Sequence, residues 1–232
     1  MVFSYWEGSS AVSDLFLDVW RPYDPEVRVF TAADVESFIP SSNPVWLELF
    51  KAIRLSVCKS DVARLVILEH VGGFYLDIHS APRDGEALAR LQALLLTYEF
   101  VLFRAVDYLE TGNFYIPNGA LLGRRNSSVI HHLIESAFYV LVQQRDRENA
   151  SQGHASYNIA ELTGGWLYGL KLLDMDAFPF DPTPAYRDRV WVEDVHSARS
   201  HPAFIWYANY GYRRPGEHWS ERQATEPLFT QR

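Results

Sequence analysis

Apolar residues in this chain fall into two registers, and the register changes mark the elements. Around residues 60–71 Val62, Leu65, Val66 and Leu68 follow helical spacing. Ser60 and Asp61 precede them as residues that cap or charge a helix start. Gly72 and Gly73 then stop the helix, because glycine enters the left-handed conformation at low cost. Residues 74–78 are aromatic and β-branched and read as a buried strand that directly follows a helix, the arrangement of an α/β unit. Upstream, the pattern predicts a strand at 2–6, a small-residue loop at 8–10, a helix at 14–20 and a strand at 27–30. Residues 44–71 read as largely helical, with Trp46, Leu49, Phe50, Ile53 and Val57 on one stripe.

Downstream, 80–85 reads as a loop, 86–97 as a helix, 100–106 as a buried strand and 110–113 as a polar turn. Residues 114–123 suggest two short strands around Pro117-Asn118-Gly119, followed by a helix over 127–142. The polar run 143–154 reads as an exposed loop or a frayed helix end. Residues 156–173 are helical in pattern around Thr163-Gly164-Gly165-Trp166. A proline-rich turn at 178–184 and a strand at 189–195 precede an aromatic, basic tail without clear periodicity. No internal repeat or low-complexity tract occurs.

The predicted strand end at 77–79 concentrates chemistry. Asp77 and His79 are two apart and project to one side of an extended chain, about 7 Å apart along it. In open α/β sheets ligands gather at the carboxyl ends of strands. A carboxylate and an imidazole there are suitable ligands for Mn²⁺ or a similar cation; the plainer alternative is a turn Asp beside a solvated His. Asp61 and Arg64, one helical turn apart, face one direction and form either a surface salt bridge or a ligand contact.

The stretch KSDVARLVILEHVGGFYLDIH, residues 59–79, resembles the sugar-binding region of DXD-containing glycosyltransferases, the family of initiating mannosyltransferases and capsular polysaccharide transferases. Ser60, Asp61, Arg64, Leu68, Gly72, Gly73, Tyr75 and Asp77 carry the match, and His79 replaces the second Asp of the motif. The resemblance implies a GT-A-like fold: one α/β domain over residues 1–232, with a mixed, mainly parallel central sheet flanked by helices. It also implies donor contacts from Asp61, Arg64, Tyr75 and Asp77, with Asp77 and His79 holding a divalent cation, Mn²⁺ or Mg²⁺, at the donor diphosphate.

Further site residues follow from the same resemblance. Trp6 matches the Trp that stacks on the nucleotide base, and its alternative is a core aromatic. Asn118 matches an Asn in a comparable catalytic position, and its alternative is plain turn chemistry. A C-terminal His and Trp are expected on the diphosphate, for which His218 (metal) and Trp219 (donor) are candidates. His201 with Trp206 echoes the same pair, and Glu193, Asp194 and His196 also lie in that part of the chain. Thr163-Gly164-Gly165 loosely resembles an acceptor-side Thr-Gly-Pro element. Arg124 and Arg125 fit either phosphate or a surface loop, and His131 and His132 fit a solvated helix face.

Composition narrows the function classes. A net charge of -8 over 232 residues argues against nucleic acid or an anionic membrane as the main partner. The lone Cys58 excludes an intrachain disulfide and fits a reducing, cytoplasmic setting; without a His or acid beside it, it reads as buried, not nucleophilic. The chain shows no apolar run long enough to span a membrane, no cleavable signal pattern, no P-loop, no G-x-S-x-G elbow and no H-E-x-x-H. The function that the family resemblance implies is transfer of a hexose, with retention, from a nucleotide-activated donor to a glycan or other hydroxyl acceptor. A non-catalytic nucleotide-sugar-binding protein is one alternative. A metal-dependent hydrolase, with Asp84 as the nearest additional ligand, is the other.

Overall fold

The computed structural model describes residues 1–105, 115–176, 180–195, 200–207 and 218–230. Six strands form one sheet in the order β2 (Arg28–Phe30), β1 (Val2–Tyr5), β3 (Gly73–Leu76), β6 (Ala120–Gly123), β5 (Phe100–Ala105), β7 (Val190–Val195). The β1–β2, β1–β3 and β5–β7 pairs are parallel, and β6 runs antiparallel to both of its neighbours. This is the mixed, mainly parallel sheet expected from the sequence. A second sheet orders β4 (Ser80–Pro82), β9 (Phe204–Trp206) and β8 (Ser200–His201), all antiparallel. The helices are α1 (Ser10–Trp20), α2 (Ala32–Phe38), α3 (Pro44–Ala52), α4 (Ser56–Val71), α5 (Gly85–Ala93), α6 (Ser128–Ser151), α7 (Ile159–Leu162), α8 (Gly165–Leu172) and α9 (Trp219–Arg222).

Strand alternation sends side chains into two cores. Phe3, Tyr5, Tyr75, Leu121, Phe100 and Leu102 join residues of α2, α3, α4, α6, α7 and α8 on one face. Val2, Phe74, Leu76, Leu122, Val101 and Phe103 join Phe16 and Trp20 of α1, Leu88 and Leu91 of α5, and Phe204 on the other. Both faces are covered, so the central strands are mostly apolar, with Ser4 of β1 and Arg104 of β5 the buried polar exceptions.

Several sequence expectations are corrected. The helix over 44–71 breaks at residues 53–55, because Ile53 pairs with Phe229 and the Arg54 N–H donates to the Leu228 carbonyl (2.8 Å), a pairing that no local Gly or Pro announces. Helix α4 begins at Ser56, so Ser60 and Asp61 lie inside it and do not cap it. The 80–85 loop contains β4, which finds its partner only across the chain in β9. The helix after residue 127 runs on to Ser151 through the polar stretch, since Gln144 and Glu148 are buried there. Of the two strands around Asn118, the described residues contain one, β6; the 110–113 turn lies outside them. The 156–173 helix is split at Thr163-Gly164 into α7 and α8. Helix α2, unread from the sequence, starts where the Asp34 carboxylate accepts the Thr31 N–H (2.8 Å).

Candidate functional site

The chain leaves β1, forms β2 on one side of it and returns as β3 on the other, so a crevice opens between the carboxyl ends of β1 and β3. Such a switch point is where open α/β sheets bind ligands. A cavity of about 510 Å³ lies there, within the size range of small-molecule sites. Tyr5 and Trp6 reach it from the end of β1, Ser60 and Arg64 from α4, Asp77 and His79 from the turn after β3, and His218, Trp219 and Arg222 from the C-terminal segment.

Strand β3 stops at Leu76, two residues earlier than the sequence suggests. A tight turn follows, closed by the Ser80 N–H on the Asp77 carbonyl (3.0 Å). It folds the predicted 7 Å separation up, so that His79 Nε2 lies 3.6 Å from Asp77 Oδ2. The turn is fixed from β6: the Asp77 N–H donates to the Gly119 carbonyl (2.8 Å), and a Cβ at residue 119 would stand 2.7 Å from Asp77 Oδ2. Gly119 is therefore a close-approach glycine, with Trp206 Nε1 on its carbonyl at 3.3 Å.

Beneath the cavity floor is a buried ionic network. Arg64 Nη2 lies 2.9 Å from Asp61 Oδ1 and 3.8 Å from Asp77 Oδ1. Arg64 also donates Nε to the Ser60 carbonyl (3.2 Å), Nη2 to Ser60 Oγ (3.1 Å) and Nη1 to the Asn118 carbonyl. Its guanidinium carbon sits 4.6 Å from the Tyr75 ring centroid, in cation–π range. The Tyr75 hydroxyl donates to Asp77 Oδ1 at 2.8 Å. Asp61 accepts from Asn118 Nδ2 (2.7 Å) and Thr163 Oγ1 (3.1 Å).

The two carboxylates respond oppositely to this setting. Burial pushes Asp61 up to about 6, against the lowering pull of Arg64 and Thr163. Burial also acts upward on Asp77, but Arg64, His79 and the Tyr75 hydroxyl outweigh it and hold that carboxyl below its ordinary range. Asp77 thus stays ionised facing the cavity, where its side chain is 27% exposed.

The candidate residues separate by depth. Trp6, Arg64, Tyr75, Asp77, His79, His218 and Trp219 line the cavity. Asp61 and Asn118 do not; they sit behind Arg64 and hold it, and Asp61 is 1% exposed. Asp61 and Arg64 do form a salt bridge, the alternative to a ligand contact, but it is buried, not solvated. Trp6 folds back over Gly8, whose Cβ would collide with the indole, and donates Nε1 to the Ser9 carbonyl (3.0 Å). His218 caps α9, with Nδ1 2.6 Å from Ser220 Oγ. Thr163 lies on Asp61. His201 pairs with Glu193 (3.3 Å) and His131 with Glu69 (2.6 Å), both away from the cavity wall. Arg104 takes up Asp194 (2.8 Å), and His196 lies outside the described residues. Tyr5, Glu7, Leu55, Ser56 and Arg222 also line the cavity, and none of them belongs to the matched motif of residues 59–79.

As a cation site, Asp77 and His79 supply a carboxylate and an imidazole on one edge, a donor set suited to Mn²⁺-like ions. Among the described residues no group of three or more His, Cys, Asp or Glu side chains is placed to share a metal. The pair would supply two ligands to a cation held there.

Residues 11–85 match the family model described as "Glycosyltransferase sugar-binding region containing DXD motif", the family that the 59–79 stretch resembles. That segment contains Asp61, Arg64, Tyr75, Asp77 and His79; Trp6, Asn118, His218 and Trp219 lie outside it. Among solved structures, a chain titled "PaToxG Glycosyltransferase" is similar with a TM-score of 0.45 and 12% identity, over 72% of this chain and 65% of that one. This chain therefore spans less than two thirds of that chain's length. No curated protein matches.

Proposed function

Building on the sugar-binding region matched across residues 11–85, we propose that this chain is a glycosyltransferase that moves a hexose from a nucleotide-activated donor to a glycan or other hydroxyl acceptor, with a divalent cation, Mn²⁺ or Mg²⁺, at the diphosphate. The observation that carries the reading is the cavity at the β1/β3 crevice, which has Trp6 on its wall and an ionised Asp77 beside His79 on its floor. An indole offers a stacking surface for a base, and the Asp77–His79 edge offers a place for the cation.

In this reading Trp6 and Trp219 hold the nucleoside, and Tyr75 and Arg64 fix Asp77 in one orientation through the 2.8 Å hydroxyl contact and the ion pair. Asp61 and Asn118 fix Arg64 in turn. A bound cation supplies charge stabilisation of the departing diphosphate. Asp77 and His79 hold it; retention at the sugar centre is carried over from the family resemblance. We take residues 1–232 as one GT-A-like domain, because the C-terminal segment is hydrogen-bonded into the first helical layer at Arg54 and Ala52. The lone buried thiol of Cys58 supports a cytoplasmic, reducing setting.

The test is turnover of UDP- and GDP-hexoses with and without Mn²⁺. Release of nucleoside diphosphate that requires Mn²⁺ and is lost in Asp77→Ala supports the reading. A second reading, a nucleotide-sugar-binding protein without turnover, is favoured by one feature: Arg64 directs Nε, Nη1 and Nη2 to internal partners. Donor binding without diphosphate release in any metal would select it.

A further inference from the structure

The turn that carries Asp77 and His79 is held by a strand distant in sequence. Strand β9 pairs with β4 in the register Ser80↔Trp206, Ala81↔Ile205 and Pro82↔Phe204. Two further bonds prolong the pairing: the Tyr207 N–H donates to the His79 carbonyl (2.9 Å) and the Arg83 N–H to the Ala203 carbonyl (3.0 Å). One side of the turn is therefore tied to β9 through the main chain.

The other side is tied to the same strand through a side chain. The Gly119 carbonyl, just before β6, accepts two N–H groups, that of Asp77 at 2.8 Å and the indole Nε1–H of Trp206 at 3.3 Å. A carbonyl oxygen has two lone pairs, so it takes both donors, and together they fix its direction. The space beside Gly119 is shared in the same way. A Cβ there would stand 2.7 Å from Asp77 Oδ2 and 3.1 Å from Trp206 Nε1, so carboxylate and indole close on one glycine from two sides.

Trp206 is 8% exposed and does not line the cavity. Its ring meets Phe204 edge-on (4.8 Å), and Phe204 meets Phe74 of β3 and Phe103 of β5 in the same manner, at 5.5 Å each. Packing into this core locks the indole, and its N–H becomes a fixed point against which Gly119 is set. Trp206 thus sits behind the turn, not on the diphosphate side of it. A second indole offers a comparison: Trp20 of α1 is fully buried and donates Nε1–H to the Ser80 carbonyl at 3.1 Å. The chemistry is the same, but that oxygen lies on β4, past the turn, and takes no bond from Asp77.

Resting on the nucleotide-sugar reading above, with its cation at Asp77 and His79, we propose that Trp206 is a positioning residue for that edge. Its indole N–H holds the Gly119 carbonyl, and that carbonyl holds Asp77 in the orientation from which it meets a divalent cation. Trp206 itself touches neither cation nor donor. Contacts one step behind a metal ligand set the ligand's orientation, and losing them commonly costs about ten- to a hundredfold in metal affinity.

The experiment measures UDP and GDP affinity by calorimetry, in Mn²⁺ and in chelator, for the parent, Trp206→Phe and Trp20→Phe. Phenylalanine keeps a buried ring and removes the N–H. In Trp206→Phe the factor by which Mn²⁺ tightens the diphosphate is expected to fall about tenfold, while affinity in chelator stays within about twofold. Trp20→Phe is expected to lower the melting temperature and to leave both quantities within about twofold. The ligand-free protein gives a second readout, since the Asp77 amide should exchange faster in Trp206→Phe than in Trp20→Phe. Gly119→Ala, whose methyl group meets the Asp77 carboxylate directly, should lose the Mn²⁺ factor as well, and it carries the test if Trp206→Phe does not fold. An unchanged Mn²⁺ factor in Trp206→Phe overturns the assignment. An equal fall in Trp20→Phe also overturns it, by showing a general loosening of the core. A parent whose diphosphate affinity is the same in Mn²⁺ and in chelator overturns the cation reading and this assignment with it, an outcome distinct from a parent that gains and a variant that gains equally.

Discussion

At the scale of single residues, the site depends on one arginine shared by two carboxylates. Removing it leaves Asp61 buried and unpaired, so Arg64→Ala is expected to cost about 3–5 kcal/mol of stability, measured by urea unfolding, with Asp61→Asn in the same chain recovering part. That differs from what the motif alone suggests, where Arg64 reads mainly as a ligand contact. Asp61 also gives a pH signature. Its folded pKa, about 6, is raised above the ordinary 3.8, so its contribution to stability is present below about 3.8 and is lost as pH rises through about 6. The stability difference between the parent and Asp61→Asn should therefore shift against the parent across that window and level off above it; a flat difference would show that the two states bind the proton equally. Asp77 has the opposite sign, its depressed pKa keeping it ionised through the same range. Asp77→Ala should abolish Mn²⁺-dependent transfer with the melting transition retained.

At the scale of elements, turns and straps aim these side chains. The Gly72-Gly73 stop has positive φ at both residues, 68° and 113°, and a Cβ at Gly73 would run into the Met1 carbonyl. Gly73→Ala should cost about 1–3 kcal/mol and shift β3 against β1. The far end of α6 acts at a distance: Glu148 holds the C-terminal strap that carries His218, Trp219 and Arg222. Glu148→Ala leaves two buried N–H groups without their acceptor, a penalty of about 1–3 kcal/mol each. Hydrogen exchange should then show lost protection at 228–229 while β1, β3 and β6 keep theirs; uniform loss would mean that Glu148 supports the whole fold.

For the whole molecule, a ligand that binds the native state alone raises its melting temperature in proportion to the logarithm of its concentration over its Kd. Nucleotide sugars with Mn²⁺ should shift the transition upward, and free hexoses should leave it in place. Equal shifts with chelator present would argue that His79 and Asp77 hold no cation. No helix among the described residues is long and apolar enough to cross a membrane.

Local signals were enough for the α4–turn–β3 unit. Helical spacing, two glycines and an aromatic, apolar run are neighbours in sequence, so short-range sterics and burial determine them, and the order of residue types from Ser60 to His79 was readable as a sugar-binding pattern. The alternation of the central strands was readable for the same reason. What tertiary structure decided lies in pairings between distant segments. The break at 53–55 needs Phe229, β4 needs β9, and the buried run of α6 needs the strap, none of which leaves a local mark. Depth was decided there too. Asp61 and Asn118, 57 positions apart, close on each other behind Arg64, a contact that only the fold brings about. Arg222, in an aperiodic tail, reaches the cavity on a segment that Glu148 of α6, Tyr157 and Ala52 all bind.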